Sequence, residues 1–401
     1  MKRILLSNRA RFTPTSPIRK LAKYANQAKE KGVKVYHFNI GQPDIASPSV
    51  FYNAMKEYTE PVIAYEDSRG NKTLRRTWAN YLNTNYNLDL TEDNFIISMG
   101  ASEALLFIFM SCCDPGDEVI VFDPTYANYI SFGAESGVDL IPVLSDLENN
   151  FTLPSKEEIE KKITNRTRAI LLCNPNNPTG TVYDENDIKF LLNICEEYNF
   201  FLVVDEAYRE YVYDSIKPKC ALEIDKDNPR IIIIDSLSKR YSLCGARLGA
   251  LITKNQDVLS TVLHIAQARL CAPTIEQYAA AKTIERLPIS YLEKIRKEYQ
   301  ERRDVLYDAI CQVQGITAYK PEGAFYMTVQ FPIDNVEDFA IYLLTQFSYE
   351  NKTSFIAPGA GFYMQNGKGN NKARLAYCIN KDDIKDGIFV LQKGLEAYKN
   401  R

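Results

Sequence analysis

The feature that most restricts the fold is a regular alternation of short apolar segments and longer helical segments that begins at Asn94. The apolar segments are NFIISMG, EVIVFDPTY, DLIPVL, RAILLCNPNNP, FFLVVDEAY and the isoleucine run IIIID, with GALITK as a further candidate. Near-continuous apolar strands separated by helices are typical of a mostly parallel sheet that helices cover on both faces. The pattern therefore predicts an α/β fold built on a mostly parallel, seven-stranded type of sheet.

The alternation stops beyond Asn255 and divides the 401-residue chain unequally. A helical stretch, roughly from Gln256 to Val313, leads into a second α+β segment, and the N-terminal segment is predicted to be an arm followed by a helix from Ser16 to Gly32. We therefore predict a large domain at residues 46–290. Residues 1–45 and 291–401 are predicted to form a smaller α+β domain that includes the N-terminal arm.

The charge and the reactive side chains exclude several classes of function. A net charge of -3 provides no basic surface for nucleic acid or for an anionic membrane. The nine cysteines form no CxxC pair, and with only His37 and His264 no zinc-finger spacing exists, so we expect reduced thiols and no metal site. The apolar run in MKRILLSNRARF is too short for a signal peptide, and no later segment is predicted to span a bilayer. We therefore expect a cytoplasmic protein.

A lysine follows the isoleucine strand at a chemically informative position. After residues 231–234 come Ser236, Ser238 and Lys239, and then Arg247. A lysine just beyond the carboxyl end of a buried parallel strand lies where open α/β sheets bind their ligands. Its amine suits an aldehyde, and the hydroxyl and guanidinium groups suit a phosphate, so the cluster indicates pyridoxal phosphate. For the lysine taken alone, a solvated side chain at a strand end is the alternative.

Other predicted strand ends also carry small or polar residues. SMGASEAL places Ala101 and Ser102 at the start of a helix, where free amides bind anions, although N-terminal capping by Ser102 would explain the same pattern. Tyr126 follows the next strand, where its ring would either stack on a planar heterocycle or pack in the core. In CNPNNPTG the prolines make a rigid turn that directs Asn177 above the sheet.

Three further positions suggest binding of charged groups. Asp205 ends the apolar strand FFLVVD, where an unpaired carboxylate is costly; a protonated pyridine nitrogen would be a suitable partner, and helix capping or an ordinary ion pair is the alternative. Arg374 enters the apolar strand of NKARLAYCI and suits bidentate binding of a carboxylate, unless it lies on the surface. Gly41 in VYHFNIGQPDI either lets the backbone approach a ligand or simply forms a turn.

Together, in this order and spacing, these motifs resemble the class I aminotransferases, which are fold type I enzymes dependent on pyridoxal 5'-phosphate. The resemblance extends from SPIRKLA to the last strand, and its most specific part is SLSKRYSLCGARLG, followed by NNPTG and VVDEAY. The family resemblance implies a homodimer with shared active sites. It also implies transfer of an amino group from an L-amino acid to a 2-oxo acid with ping-pong kinetics, within amino-acid metabolism.

The resemblance assigns a role to each matching position. Lys239 would form the Schiff base and move the proton, Asp205 would pair with the pyridine nitrogen, and Tyr126 would stack on the ring. Asn177 and Tyr208 would hold the phenolic oxygen. The residues implied for the phosphate are Ala101, Ser102, Ser236, Arg247 and, from a second subunit, Tyr65, and those implied for the substrate α-carboxylate are Arg374, Asn177 and the Gly41 backbone.

The substrate is less closely defined. In the bacterial aspartate-type subgroup, the third position of the phosphate loop is often a lysine that binds the distal carboxylate, whereas this chain has Ser102. A dicarboxylate substrate then requires Arg9, Arg11 or Arg19 to take the place of that lysine. We predict aspartate with 2-oxoglutarate first, and alanine or an aromatic amino acid next. A β-eliminating C–S lyase on the same fold is the alternative enzyme, while a cofactor-binding regulator is disfavoured because the sequence contains no basic recognition helix.

Overall fold

The computed structural model describes residues 5–401 and contains one large sheet, two smaller sheets and the surrounding helices. The described strands are β1 (Lys34–His37), β2 (Phe95–Ser98), β3 (Glu118–Asp123), β4 (Asp139–Leu144), β5 (Thr167–Cys173), β6 (Phe201–Asp205), β7 (Ile231–Ser236), β8 (Gly249–Thr253), β9 (Thr317–Ala318), β10 (Tyr326–Gln330), β11 (Lys352–Phe355), β12 (Ala357–Pro358) and β13 (Lys372–Ala376). The described helices are α1 (Asn8–Phe12), α2 (Ala22–Glu30), α3 (Ser49–Glu57), α4 (Lys72–Tyr86), α5 (Gly100–Cys112), α6 (Ala127–Ser136), α7 (Lys156–Glu160), α8 (Glu185–Tyr198), α9 (Leu237–Arg240), α10 (Gln256–Arg269), α11 (Thr274–Arg286), α12 (Ile289–Cys311), α13 (Val336–Thr345) and α14 (Lys381–Lys399).

The large sheet confirms the predicted fold class. Within residues 5–401 it has seven strands in the order β2-β8-β7-β6-β5-β3-β4. The pairs β4–β3, β3–β5, β5–β6 and β6–β7 are parallel, whereas β8 runs antiparallel to both β7 and β2. The candidate strand GALITK is therefore real and provides the antiparallel member. Because five neighbouring strands run parallel, their carboxyl ends meet at one edge of the sheet.

The isoleucine strand β7 shows why helices must cover both faces of this sheet. Ile231 and Ile233 pack with Trp78 of α4 in one hydrophobic cluster, whereas Ile232 and Ile234 pack in another cluster beside α5 and α10. All four side chains are fully buried. Burying one such side chain contributes about 1.5–3 kcal/mol, so the alternation of faces along β7 stabilises two separate layers of helix.

The remaining strands form a smaller α+β part, as predicted. In the described chain β10 pairs antiparallel with β13 and β9, β12 joins β13, and β1 runs parallel to β11. Helices α12, α13 and α14 pack around these strands, and their common core includes Tyr299, Phe325 and Phe339. None of the described helices combines the length and the apolar character needed to cross a bilayer.

Two helix predictions are wrong in their extent. The helix expected from Ser16 begins only at Ala22, because the preceding turn packs Pro17 against Gly361 and thereby holds the arm on the body of the protein. The segment KEEIEKKI forms a helix only over Lys156–Glu160 and then tightens into a turn that brings Thr164 into hydrogen bonding with Glu118. The predicted stretch from 256 to 313 contains α10, α11 and α12.

Gly249 lies where β8 touches the start of α5. A Cβ added at this position would lie 2.5 Å from the carbonyl carbon of Gly100 and 2.7 Å from the amide nitrogen of Ala101. Both are backbone atoms, so the clash cannot be relieved by a side-chain rotation. We expect Gly249→Ala to lower the free energy of unfolding by about 3 kcal/mol, measured by urea denaturation of the cofactor-free protein.

Gly245 provides the matched control on the same segment. A Cβ added there meets no atom within 4 Å, so Gly245→Ala should leave the free energy of unfolding nearly unchanged. Equal effects of the two substitutions would contradict the close contact between β8 and α5.

Candidate active site

A cavity of about 710 Å³ opens at the carboxyl edge of the large sheet. It is bounded by the ends of β5, β6 and β7, by the first turns of α5 and α6, and by residues 40–42. It collects most of the predicted site residues, which are Gly41, Ala101, Ser102, Tyr126, Asn177, Asp205, Tyr208, Ser236, Lys239, Arg247 and Arg374. Tyr65 does not line it; its side chain lies in the loop between α3 and α4 and is 79% exposed.

Lys239 lies on the short helix α9, directly after β7, and its amine reaches into the cavity. Its Nζ donates a hydrogen bond to the carbonyl oxygen of Gly41 at 2.8 Å, and the Cys244 thiol lies 4.0 Å away. Burial lowers the pKa of Lys239, and the guanidinium groups of Arg374 and Arg247 act in the same direction. The solvated lysine is therefore excluded, and the amine has an increased neutral fraction that can act as a nucleophile or base.

Asp205 ends β6 and is buried beneath the floor of the cavity. One carboxylate oxygen accepts a hydrogen bond from the Tyr129 hydroxyl at 2.7 Å, and the other accepts from the amide of Ala207 at 3.1 Å. Burial raises the pKa of Asp205 despite these donors. Among the described residues no lysine or arginine forms an ion pair with it, so the alternative of an ordinary ion pair is wrong. The carboxylate is held in place for a cation that no described lysine or arginine supplies.

The anion-binding end of the cavity combines a helix N-terminus with hydroxyl and guanidinium groups. Helix α5 begins at Gly100 with Met99 at its N-cap and no side chain of Met99 capping it. Of the alternative that Ser102 with Glu103 caps the helix, the Ser102 part is wrong, whereas Glu103 does accept a hydrogen bond from the amide of Met99 at 2.8 Å. Free amides of the first turn, which includes Ala101 and Ser102, therefore remain available to an anion.

Arg247 lies close against this turn. Its Nη2 donates to the carbonyl oxygen of Met99 at 3.2 Å, and a Cβ on Gly100 would come within 2.6 Å of the same nitrogen. The Ser236 hydroxyl, which donates to the carbonyl oxygen of Leu248 at 3.3 Å, lines the same end of the cavity. The site thus holds a positive group and a hydroxyl beside free amides, a set that suits a phosphate.

Arg374 is on β13 and is only 1% exposed, so its assignment to the surface is wrong. Its Nη1 donates to Oδ1 of Asn177 at 3.1 Å, and its Nη2 donates to the carbonyl oxygen of Asn39 at 2.7 Å. The guanidinium lies between the rings of Tyr326 and Phe362, 4.3 Å and 4.9 Å from their centroids. Within the described chain its buried Nε has no hydrogen-bond partner. A planar cation held in this way at a cavity wall suits bidentate binding of a carboxylate.

Aromatic side chains complete the walls of the cavity, and two of them, Tyr129 and Tyr326, were not indicated by the sequence. The Tyr208 hydroxyl forms a hydrogen bond of 2.7 Å with the Tyr326 hydroxyl, and burial raises the pKa of Tyr208 so that it stays protonated. Tyr126 packs edge-to-face on Tyr129, and burial raises its pKa to about 12. Tyr129 was missed although it lies three residues beyond Tyr126 on one face of α6. Tyr326 carried no strand-end signal, because it comes from the distant strand β10.

The residues present fit pyridoxal 5'-phosphate. A buried carboxylate without an ion pair suits the protonated pyridine nitrogen, and a neutral amine suits the aldehyde. The anion-binding end around Arg247 lies in the same cavity as both groups, and the volume of about 710 Å³ is within the range of small-molecule sites.

Asp123 connects the wall of this site to a loop that contacts Arg374. It ends β3, and its Oδ2 accepts hydrogen bonds from the amides of Met364 and Gln365 at 2.8 and 3.3 Å. The preceding part of that loop carries Phe362, whose ring lies against Arg374. Burial raises the pKa of Asp123 to about 6 even though the two amides act against the shift.

The chain matches a known family over most of its length. A family model described as aminotransferase class I and II matches residues 33–358. The aspartate aminotransferase of Sulfurisphaera tokodaii is 31% identical over 374 residues, which cover 90% of each chain. The probable aspartate aminotransferase of Methanocaldococcus jannaschii is also 31% identical, over 98% of this chain and 100% of that relative.

Solved structures of the same kind superimpose on nearly the whole chain. An alanine aminotransferase from Pyrococcus furiosus aligns with a TM-score of 0.90 at 30% identity, over 98% of this chain and 100% of that chain. An aspartate aminotransferase from Thermotoga maritima aligns with a TM-score of 0.88 at 29% identity and the same coverage.

The raised pKa of Asp123 predicts a pH-dependent loss of stability. The Asp123 carboxyl group binds its proton more tightly in the folded state, where its pKa is about 6, than in the unfolded state, where its pKa is 3.8. The free energy of unfolding therefore falls as the pH rises from about 4 to about 6. Asp123→Asn keeps an acceptor for the two amides but carries no charge. The difference in unfolding free energy between the variant and the wild type should therefore grow in favour of the variant by about 2–3 kcal/mol across this window. Urea denaturation at several pH values measures it, and a constant difference would contradict the prediction.

Proposed function

Because the chain belongs to the class I and II aminotransferase family, we propose that the cavity around Lys239 is its active site. The enzyme is a pyridoxal-phosphate-dependent transaminase that moves an amino group between an L-amino acid and a 2-oxo acid. One observation carries the proposed site: Lys239, Asp205 and Arg374 come from separate elements and line the same cavity, with Asp205 and Arg374 buried and Lys239 half-buried.

Bound pyridoxal phosphate supplies the aldehyde that takes up the amino group and an electron-poor ring. In this proposal Asp205, held by the Tyr129 hydroxyl, would bind the ring nitrogen. Asn177 and Tyr208 would hold the phenolic oxygen, and Tyr126 would pack on the ring. The proposed phosphate ligands in this chain are the first-turn residues Ala101 and Ser102 together with Ser236 and Arg247.

Lys239 would act as the base that moves the substrate proton. Its Nζ needs to be neutral for this step, and burial with two nearby guanidinium groups lowers its pKa accordingly. The hydrogen bond to the carbonyl oxygen of Gly41 orients the amine, and the surrounding aromatic walls exclude water from the transfer.

Arg374 would bind the substrate α-carboxylate. The guanidinium is already fixed by Asn177 and by the carbonyl oxygen of Asn39, so little side-chain entropy remains to be lost on binding. Its buried Nε provides one donor that no described protein group uses. Asn177 and the Gly41 backbone border the same space and would assist.

We propose aspartate as the amino donor and 2-oxoglutarate as the acceptor. The names of the relatives support a dicarboxylate, and the lysine missing at Ser102 has a potential replacement in Arg19, which lines the cavity and forms no ion pair in the described chain. Arg9 and Arg11 lie on α1 and do not line the cavity. Alanine is the second candidate, because the aligned Pyrococcus furiosus structure is an alanine aminotransferase.

We further propose a homodimer in which Tyr65 reaches the phosphate of the partner's site. Support comes from the exposure of Tyr65 beside two exposed apolar residues, Val62 and Ile63, because an apolar loop of this kind is typical of an interface.

We also propose that the chain divides into a large domain at 46–290 and a small domain of 1–45 with 291–401; residues 1–4 lie outside the described residues. We also propose a reducing compartment such as the cytoplasm, which the free thiols of the described cysteines support, and a role in amino-acid biosynthesis, which the transaminase activity of the family supports.

Replacing the amine tests the proposed active site. Wild-type protein loaded with pyridoxal phosphate should absorb at about 400 nm, and Lys239→Ala should lose this band and its transaminase activity. Lys254→Ala is the control, because Lys254 forms its ion pair with Asp89 away from the cavity. An unchanged spectrum in Lys239→Ala would refute the assignment.

The role of Arg19 is tested with two amino donors. Arg19→Gln should raise the apparent dissociation constant for aspartate by about 10-fold or more, and that for alanine by less than about 2-fold. Measuring the absorbance change on adding each amino acid alone avoids any contribution from the acceptor. Arg11→Gln is the matched control on the same arm. Equal losses for aspartate and alanine in Arg19→Gln would place the distal carboxylate elsewhere.

A further inference from the structure

A second group of charged residues lies behind the active site, on the opposite face of the large sheet. Side chains alternate between the faces of a strand, so Asp235 points away from the side on which Ser236 lies. Asp235 and Ile233 share the rear face with Trp78, whereas Ser236 opens to the cavity. We call the group formed by Asp235, Arg209, Arg240, Glu206 and Glu210 the rear cluster.

Asp235 is the centre of the rear cluster and is fully buried. Its Oδ2 accepts hydrogen bonds from Arg240 Nη2 at 2.6 Å, Arg209 Nη1 at 3.1 Å and Trp78 Nε1 at 3.1 Å. Its Oδ1 accepts from the amide of Ser236 at 2.7 Å. Burial alone would raise the pKa of Asp235, but the two guanidinium groups hold it below its usual value, so the carboxylate is ionised at neutral pH.

The two glutamates of the rear cluster contact the same two arginines, Arg209 and Arg240. Glu206 accepts from Arg209 Nε at 2.5 Å and from the amide of Ala221 at 2.6 Å. Glu210 lies 3.5 Å from Arg240 Nε. Its Oε1 accepts from the hydroxyls of Tyr81 and Tyr86 on α4, each at 2.8 Å. The rear cluster therefore ties α4 to the ends of β6 and β7 and to α9.

Stability alone is a weak reason for such a cluster. Replacing buried ion pairs by apolar residues of similar volume is often neutral or even stabilising, because desolvation offsets the Coulomb attraction. The position of the charges in the chain is more informative. Glu206, Asp235 and Arg240 are each the immediate sequence neighbour of a residue of the proposed active site, namely Asp205, Ser236 and Lys239.

Helix α9 in particular needs an external anchor. It has only four residues, and a helix of this length has no stability of its own. Its Arg240 is bound by Asp235 on the preceding strand, and Ser236 caps its first turn by accepting from the amide of Ser238 at 3.1 Å. The direction of the Lys239 side chain therefore depends on whether Arg240 is held.

We propose that the rear cluster is a positioning device for the active site, in which Asp235 and Arg240 fix α9 so that Lys239 reaches the cavity in one orientation. The inference rests on the proposed function of Lys239. The charge of Asp235 also raises the pKa of Asp205 through the sheet, which favours a proton between Asp205 and its partner. The cluster residues touch no atom of the proposed cofactor or substrate and act through their neighbours.

Asp235→Asn tests the inference, because it keeps the shape and removes one negative charge. We expect kcat to fall about 10-fold or more while KM for the amino acid changes by less than about 2-fold, since Arg374 lies on β13 and is not attached to the cluster. When the absorbance of the protein with bound pyridoxal phosphate is titrated against pH, the midpoint should fall by about 0.5 pH unit or more, because a negative charge near the titrating groups is lost.

The pH shift can be assigned to Asp235 because the other groups near the site stay the same. Lys239 is influenced by Cys244, Cys378, Arg374 and Arg247, and Asp205 by Tyr129 and Lys239. The substitution replaces none of these residues, so Asp235 is the only charged group that is lost.

Glu118→Gln is the matched control for loss of a buried carboxylate. Glu118 begins β3 of the same sheet, at the edge far from the cavity, and is equally buried and paired with Arg166. Its substitution should lower the melting temperature without moving the spectral midpoint or kcat. If Asp235→Asn behaves like Glu118→Gln, the positioning role is refuted. Retention of the absorbance band in Lys239→Ala would instead refute the proposed active site.

Glu210→Gln is the second variant, should Asp235→Asn fail to fold. It keeps acceptors for Tyr81 and Tyr86 and loosens only the hold on Arg240. A smaller fall in kcat, about 3-fold, with unchanged KM supports the inference; unchanged kcat and spectrum refute it.

Discussion

The burial of charged groups at the carboxyl edge of the large sheet is the constraint on which the rest of the structure depends. Removing a single ion from water costs several kcal/mol even after the protein relaxes. Among the described residues, only a hydroxyl and an amide donate hydrogen bonds to the buried Asp205 carboxylate. The Lys239 amine is withdrawn from water beside two guanidinium groups. Both groups consequently have pKa values shifted towards their neutral forms. The same desolvation that opposes folding is what makes the two groups chemically useful.

The sheet makes this arrangement possible by separating its two faces. On the front, the ends of β5, β6 and β7 bring Asn177, Asp205 and Ser236 to one cavity. On the rear, a sequence neighbour of two of these residues is a carboxyl group bound by arginine: Glu206 follows Asp205, and Asp235 precedes Ser236. A period of two along a strand is thus enough to place the proposed catalytic groups and the rear cluster on opposite faces of the sheet. The charged residues of the rear cluster are therefore paired with one another on the face of the sheet opposite to the cavity.

Features that depend on a few neighbouring residues could be predicted from the sequence, whereas contacts between distant segments could not. The isoleucine strand, the polar strand ends and the small residues at the start of α5 each carry their signal within a few residues. Tyr326, by contrast, meets Tyr208 across 118 positions of sequence, and Trp78 meets Asp235 across 157. The helix expected from Ser16 was misplaced for a similar reason: packing of Pro17 against Gly361 overrides the local helical pattern.

The amino-acid sequence by itself determined the class of fold and which residue types stand at the strand ends, because periodicity and turn chemistry are local properties. It also identified the family, through the sequence motifs around Lys239, Asn177 and Asp205. Only the tertiary structure decided that Asp205 binds a tyrosine and, within residues 5–401, forms no ion pair, that Arg374 is buried against Asn177, and that Asp235 binds Arg240 of α9 behind the cavity. These are consequences of burial and of distance in space, and both depend on how all the layers pack together.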